Sequence, residues 1–164
     1  MKKWLLLALL ILSLPLAWHS TAALEELSPF VRGSWKTILK AHAGQPTIVH
    51  FWGVTCGPCR VEMPRWGKLL QERPDIHLVV INADLVPNDA NAVAAMLAQT
   101  GLAGAENWMF TDGFVERLRY EIDPQWHGEI PRTMLIAPDG SITTVEGTAD
   151  LEAVRAWLDR APSP

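Results

Sequence analysis

The chain has 164 residues, 49% of them hydrophobic, with 14 basic and 18 acidic residues for a formal net charge of −4. That length holds one domain and a targeting segment, and the apolar fraction supplies a full core without disulfide staples. The mild acidic excess, with no basic cluster, argues against a nucleic-acid partner.

Met1, Lys2 and Lys3 make a short positive start, residues 4–18 are almost wholly apolar, and Ser20, Thr21, Ala22 and Ala23 follow as small residues. This is the three-part pattern of a secretory signal, with cleavage expected after Ala23 and a domain over residues 24–164. An uncleaved N-terminal membrane anchor is the rival reading. The run is short for a span of about 20 residues, and Pro15 interrupts it. Both readings put the domain outside the cytoplasm, where disulfides persist.

The lead-in after residue 23 contains a short edge strand near Phe30 and Val31. A helix starts at Gly33-Ser34, with Ser34 as its N-cap and Trp35, Ile38 and Leu39 on its apolar face. Residues 47–52, Thr-Ile-Val-His-Phe-Trp, read as a buried strand. The next helix carries apolar positions at Val61, Met63, Trp66, Leu69 and Leu70, with Pro64 inside it as a source of a kink. Residues 77–82 read as a second buried strand, parallel to the first. Asn88-Asp89 caps a helix running to Gln99, with Val93, Met96 and Leu97 inward. Trp108-Met109-Phe110 is a short strand, and residues 114–122 a short helix. Ile130-Pro131 enters an apolar strand, and Pro138-Asp139-Gly140 turns it into an antiparallel return over residues 141–145. Thr148 or Asp150 caps the last helix, residues 151–160, whose Val154, Trp157 and Leu158 face inward, and residues 161–164 form a frayed tail. Strands alternating with helices, then a hairpin and a helix, describe an α/β sandwich with a mixed central sheet flanked by helices.

Both cysteines of the chain, Cys56 and Cys59, lie where the first buried strand hands over to a helix. Unpaired N–H groups and the positive end of the helix dipole beside Cys56 favour thiolate, the form that attacks disulfides. Pro58 suits a first helical turn, where its missing N–H costs nothing. Zinc sites use the same spacing, but neither a second CxxC nor a His or Cys pair at zinc-finger spacing accompanies it. The strand-before, helix-after context favours redox chemistry and no metal.

At Phe51-Trp52, at Cys56-Gly57-Pro58-Cys59-Arg60 and at Glu62-Met63-Pro64 the chain resembles the thioredoxin superfamily, and more narrowly its TlpA-type periplasmic thiol-disulfide oxidoreductases. The resemblance implies a thioredoxin-like fold with an inserted helix and strand between the second strand and the later proline. It implies a redox-active Cys56–Cys59 disulfide and no separate cofactor, with Cys56 as nucleophile and Cys59 as resolving thiol. Pro131 matches the family's cis-proline facing the CxxC, which leaves the backbone of Ile130 free to pair with an extended substrate. His50 stands where thioredoxins have a buried acid. It is either a proton carrier for the second cysteine or a packed strand histidine. Glu62 matches a glutamate of the TlpA-type pattern, either tuning the thiols or simply solvated. Arg60 is an electrostatic aid to the thiolate or a solvated helix residue.

Trp52, Gly57 and Pro58 shape the site. Thr55 replaces the tryptophan that often precedes the first cysteine, and so leaves the partner surface open. Trp126 lines the substrate groove or packs at its rim. The implied function is reduction of partner-protein disulfides in the periplasm, with cytochrome c or copper-site maturation as client pathway and a membrane thiol relay as electron donor. A disulfide oxidase or isomerase with the same site is the second reading. The third is a copper-binding thiol module drawing on Met63 or Met134.

Overall fold

A computed structural model describes residues 27–85 and 87–161. The signal or anchor segment, the cleavage point after Ala23 and the last three residues of the expected tail lie outside them.

Six strands form one sheet: β1 (Ser28–Phe30), β2 (Thr47–Trp52), β3 (His77–Asn82), β4 (Glu106–Phe110), β5 (Arg132–Ile136) and β6 (Ile142–Glu146), in the order β1-β4-β3-β2-β5-β6. β1, β4, β3 and β2 run parallel to one another, while β5 is antiparallel to both β2 and β6. The helices are α1 (Ser34–Ala41), α2 (Gly57–Glu72), α3 (Ala90–Gln99), α4 (Val115–Ile122) and α5 (Leu151–Arg160). The expected inserted pair appears as α3 and β4, with β4 wedged between β1 and β3.

All six residues of β2 are buried because both faces of the sheet are covered. Ile48 and Trp52 point into a cluster with Cys59, Met63 and Trp66 of α2, Val93 and Leu97 of α3, and Val154 and Leu158 of α5. Val49 and Phe51 point the other way, into a cluster with Trp35 and Ile38 of α1 and Leu118 and Ile122 of α4. The period of two along a strand sets this division, and it puts the redox helix over the face of β2 that also carries His50.

Three local expectations change or sharpen. Ser34 is the first helical residue and not the N-cap; Gly33, at φ +87°, holds that place. The Ser34 hydroxyl instead accepts from the backbone N–H of Val31 at 3.0 Å. Asp150, not Thr148, caps α5, accepting from the N–H groups of Glu152 and Ala153. Pro64 lies within an unbroken α2.

Candidate active site

Cys56 is the N-cap of α2, in extended backbone conformation, and is bonded to Cys59 across a Cα–Cα distance of 5.3 Å. The backbone N–H of Cys59 donates to Cys56 Sγ at 3.2 Å. One free N–H of the helix start is therefore aimed at this sulfur, which is the arrangement that lowers a thiol's pKa once the bond is reduced. Cys56 is half-buried, and Thr55, Gly57 and Pro58 around it are exposed. Cys59 is fully buried against α2's own core residues. An incoming sulfur can reach Cys56 and not Cys59.

Ile130 and Pro131 lead into β5, the strand paired with β2, and meet the cysteines there. Their peptide bond is cis, and Cys56 Sγ lies 3.6 Å from the Ile130 carbonyl oxygen. Ile130 is half-buried and Pro131 buried, so the polar edge of Ile130 borders the sulfur that solvent reaches.

His50 and Glu62 are joined through Trp66, which shares a core cluster with Cys59. The His50 ring packs on the Trp66 ring at 5.0 Å between centroids, and its Nδ1 is 3.0 Å from the Thr133 hydroxyl. Nε2 has no partner. Burial lowers the His50 pKa to about 3, because the charged ring would lose its hydration. The ring is therefore neutral throughout the neutral range, which fits the packed-histidine reading better than a carrier titrating near pH 7. Glu62 is also fully buried and so is not an ordinary solvated helix residue. Its Oε1 accepts from Trp66 Nε1 at 3.0 Å and from the backbone N–H of Ala149 at 2.9 Å, while Oε2 has no partner. Burial raises its pKa; the bonds from Ala149 and Trp66 and the charge of Arg65 pull the other way without cancelling it.

Both tryptophans named for the site are buried. Trp126 does not line a groove, since only 4% of it is exposed. Its ring packs on Phe51 at 4.8 Å, and its Nε1 donates to the Glu129 carbonyl oxygen. Trp52 is fully buried in the core beneath the site. Of the methionines weighed as copper ligands, Met63 shares a cluster with Cys59, but Met134 packs on the opposite face of the sheet and is not brought to the sulfurs. Arg60 is exposed.

The structure adds residues that the motif did not mark. Asp84, just past β3, accepts from the backbone N–H of Val54 at 2.7 Å and from Asn82 Nδ2 at 3.0 Å, pinning the loop that carries Cys56. Gly53 lets this happen: a Cβ there would sit 2.3 Å from Asp84 Oδ1 and 2.8 Å from Ile130 Cδ1. The clue in the sequence was an acid closing the apolar run Ile81-Asn82-Ala83-Asp84. Arg132, charged yet 3% exposed in β5, is the other.

A six-stranded mixed sheet with a disulfide at the head of the helix after its central strand, faced by a cis-proline, defines a protein of thioredoxin fold. Residues 27–98 match the family model described as thioredoxin. Sporulation thiol-disulfide oxidoreductase A of Bacillus subtilis (strain 168) is 30% identical over 98 residues, covering 55% of this chain and 59% of that protein. The chain thus spans less than two thirds of the length of that relative. The crystal structure of StoA from Bacillus subtilis is 26% identical with a TM-score of 0.52, over 70% of this chain and 83% of that one. A secreted Mycobacterium tuberculosis disulfide oxidoreductase, described as homologous to E. coli DsbE, shares the fold at a TM-score of 0.59 and 19% identity, over 73% of this chain and 84% of that one.

Proposed function

We propose that this protein is a thiol-disulfide oxidoreductase of TlpA type, exported to the periplasm by residues 1–23, that reduces disulfides of partner proteins. The observation that carries the reading is the asymmetry of the pair: Cys56 half-exposed at a helix N-terminus with an N–H on its sulfur, Cys59 buried one turn in. In the reduced protein the Cys56 thiolate attacks one sulfur of a client disulfide. A Cys56–client bond forms, and the other client sulfur leaves as thiolate and takes a proton. The Cys59 thiolate then attacks Cys56 Sγ. The Cys56–Cys59 bond forms, the second client sulfur leaves, and two electrons have passed to the client.

Cys59 must lose its proton in a buried place, and Glu62, three residues further along α2, is the ionisable side chain suited to take it. A carboxyl with a raised pKa holds a proton closer to neutral pH than an exposed one does. The extended client chain pairs with the free backbone edge of Ile130, and Thr55, Gly57 and Pro58 form the rim it crosses. A dithiol relay in the membrane returns the electrons, and proteins of cytochrome c or copper-site assembly are the clients the family resemblance favours. Among the described residues no helix is long and apolar enough to cross a membrane.

A Cys59→Ser variant tests the reading, because it stalls the reaction at the mixed disulfide. The expected result is a covalent Cys56 adduct with a small set of exported proteins, released by reductant. No adduct from a folded, reduced variant would overturn the proposal. The direction is read from the reduction potential: a strongly oxidising value with a very acidic Cys56 would replace the reductase reading with an oxidase.

A further inference from the structure

Beside the cis-proline, on the face of the sheet away from Cys59, lies a charged cluster that the redox chemistry does not use. Arg132 follows Pro131 directly. Its side chain is only 4% exposed and reaches two carboxylates: Asp123, which begins the loop leading to the proline, and Glu146 of β6, at 3.1 Å. Its guanidinium carbon sits 5.5 Å from the centre of the Trp126 ring, and that of Arg119 sits 5.9 Å from the same ring. Trp126 in turn donates to the Glu129 carbonyl oxygen at 2.9 Å, one residue before Ile130. Gly128 completes the arrangement. Its φ is +107°, and a Cβ there would lie 2.6 Å from the Arg119 guanidinium.

We infer that Arg132 is a positioning residue of the redox site: by tying Asp123 to the strand beyond Pro131, it holds the 123–131 loop so that the Ile130 backbone stays over the Cys56 sulfur, where an extended client pairs. The inference rests on the oxidoreductase reading. A charge is retained in a buried strand position only when its partners repay desolvation. Here one partner opens the loop and the other lies on the neighbouring strand. Trp126, caught between Arg119, Arg132 and Phe51 of β2, carries the fixation inward to the Glu129–Ile130 segment. Neither Arg132 nor Asp123 touches the sulfurs. Their effect reaches the reaction through the place where a polypeptide is bound, and losing binding of that kind raises KM while leaving kcat in place.

The discriminating comparison is between a substrate that needs the Ile130 edge and one that does not. Arg132→Gln is assayed on insulin, a protein disulfide, and on a small aromatic disulfide that reaches Cys56 without backbone pairing. The expected result is a KM for insulin raised about tenfold, with kcat and the small-disulfide rate within about twofold of wild type. Asp123→Asn cuts the same tie from a side chain that is 25% exposed. It gives the same split in smaller measure if Arg132→Gln fails to fold. Loss of both activities in parallel, or no change of KM in a folded variant, would overturn the inference and leave the oxidoreductase reading standing. Wild-type protein idle toward both substrates would overturn both.

Discussion

Replacing Glu62 tests the interior of the site. Its Oε1 is the acceptor for two buried donors, Trp66 Nε1 and the N–H of Ala149. Glu62→Ala removes that acceptor and leaves both donors in a dry place. A buried donor without a partner costs about 1–3 kcal/mol, so the two together cost about 2–6 kcal/mol. For a domain of this size each kcal/mol is worth about 2–8 °C in Tm. Glu62→Gln keeps an oxygen in the Oε1 position and is expected to retain most of that stability. It also sets the sign of a pH effect. The folded-state pKa of Glu62 is raised above 4.5, chiefly by burial, so the folded protein binds this proton more tightly than the unfolded chain does. The wild-type protein therefore loses stability as pH rises from 4.5 through the folded pKa, and Glu62→Gln does not. Urea unfolding of the oxidised proteins at several pH values measures both effects. The reasoning is refuted if Glu62→Ala unfolds at the wild-type midpoint with an unchanged m-value, or if wild type and Glu62→Gln stay parallel from pH 4 to 8.

His50 titrates with the opposite sign. With a folded pKa of about 3 against 6.5 unfolded, its contribution to stability is complete above pH 6.5 and is lost as pH falls toward 3. The His50 ring signals in an NMR titration should hold still from pH 8 to pH 5, and a midpoint near 6.5 would refute its burial as a neutral ring. Gly53→Ala should push Asp84 and Ile130 away from the Cys56 loop and cut insulin reduction about tenfold or more, by the misplacement argument. Wild-type turnover in that variant would mean the close packing around Gly53 is not needed.

The cysteine pair, the strand before it and the helix after it were legible because each carries a local signal, while the proline that faces the pair was legible only through the family resemblance. Residues 47–52, apolar or β-branched except for His50, read as a strand buried on both faces, and a proline near a helix start announces the turn that holds the sulfurs. Asp89 and Asp150 were readable as caps for the same reason: short acids before apolar periods satisfy free N–H groups. Ser34 misled because its hydroxyl found the N–H of Val31, three residues back, and a glycine at positive φ began the helix in its place.

What the chain order could not convey is what lies against what. Glu62 and His50 had two readings each until the fold buried both around Trp66, and that desolvation moves the His50 pKa down and the Glu62 pKa up, each toward its neutral form. Trp126 read as either a groove or a rim residue, and Phe51 and two arginines enclose it. Asp84, Asn82 and Arg132 were ordinary polar letters at strand ends. They found their partners when β3 brought Asp84 to the Val54 amide and β5 laid Arg132 between Asp123 and Glu146. Sequence alone determined the reactive pair and the sheet that presents it, since periodicity and turn chemistry act over a few residues. Tertiary structure decided the acidity, exposure and support of that pair, since these depend on groups up to 87 positions apart that meet only when the sheet closes.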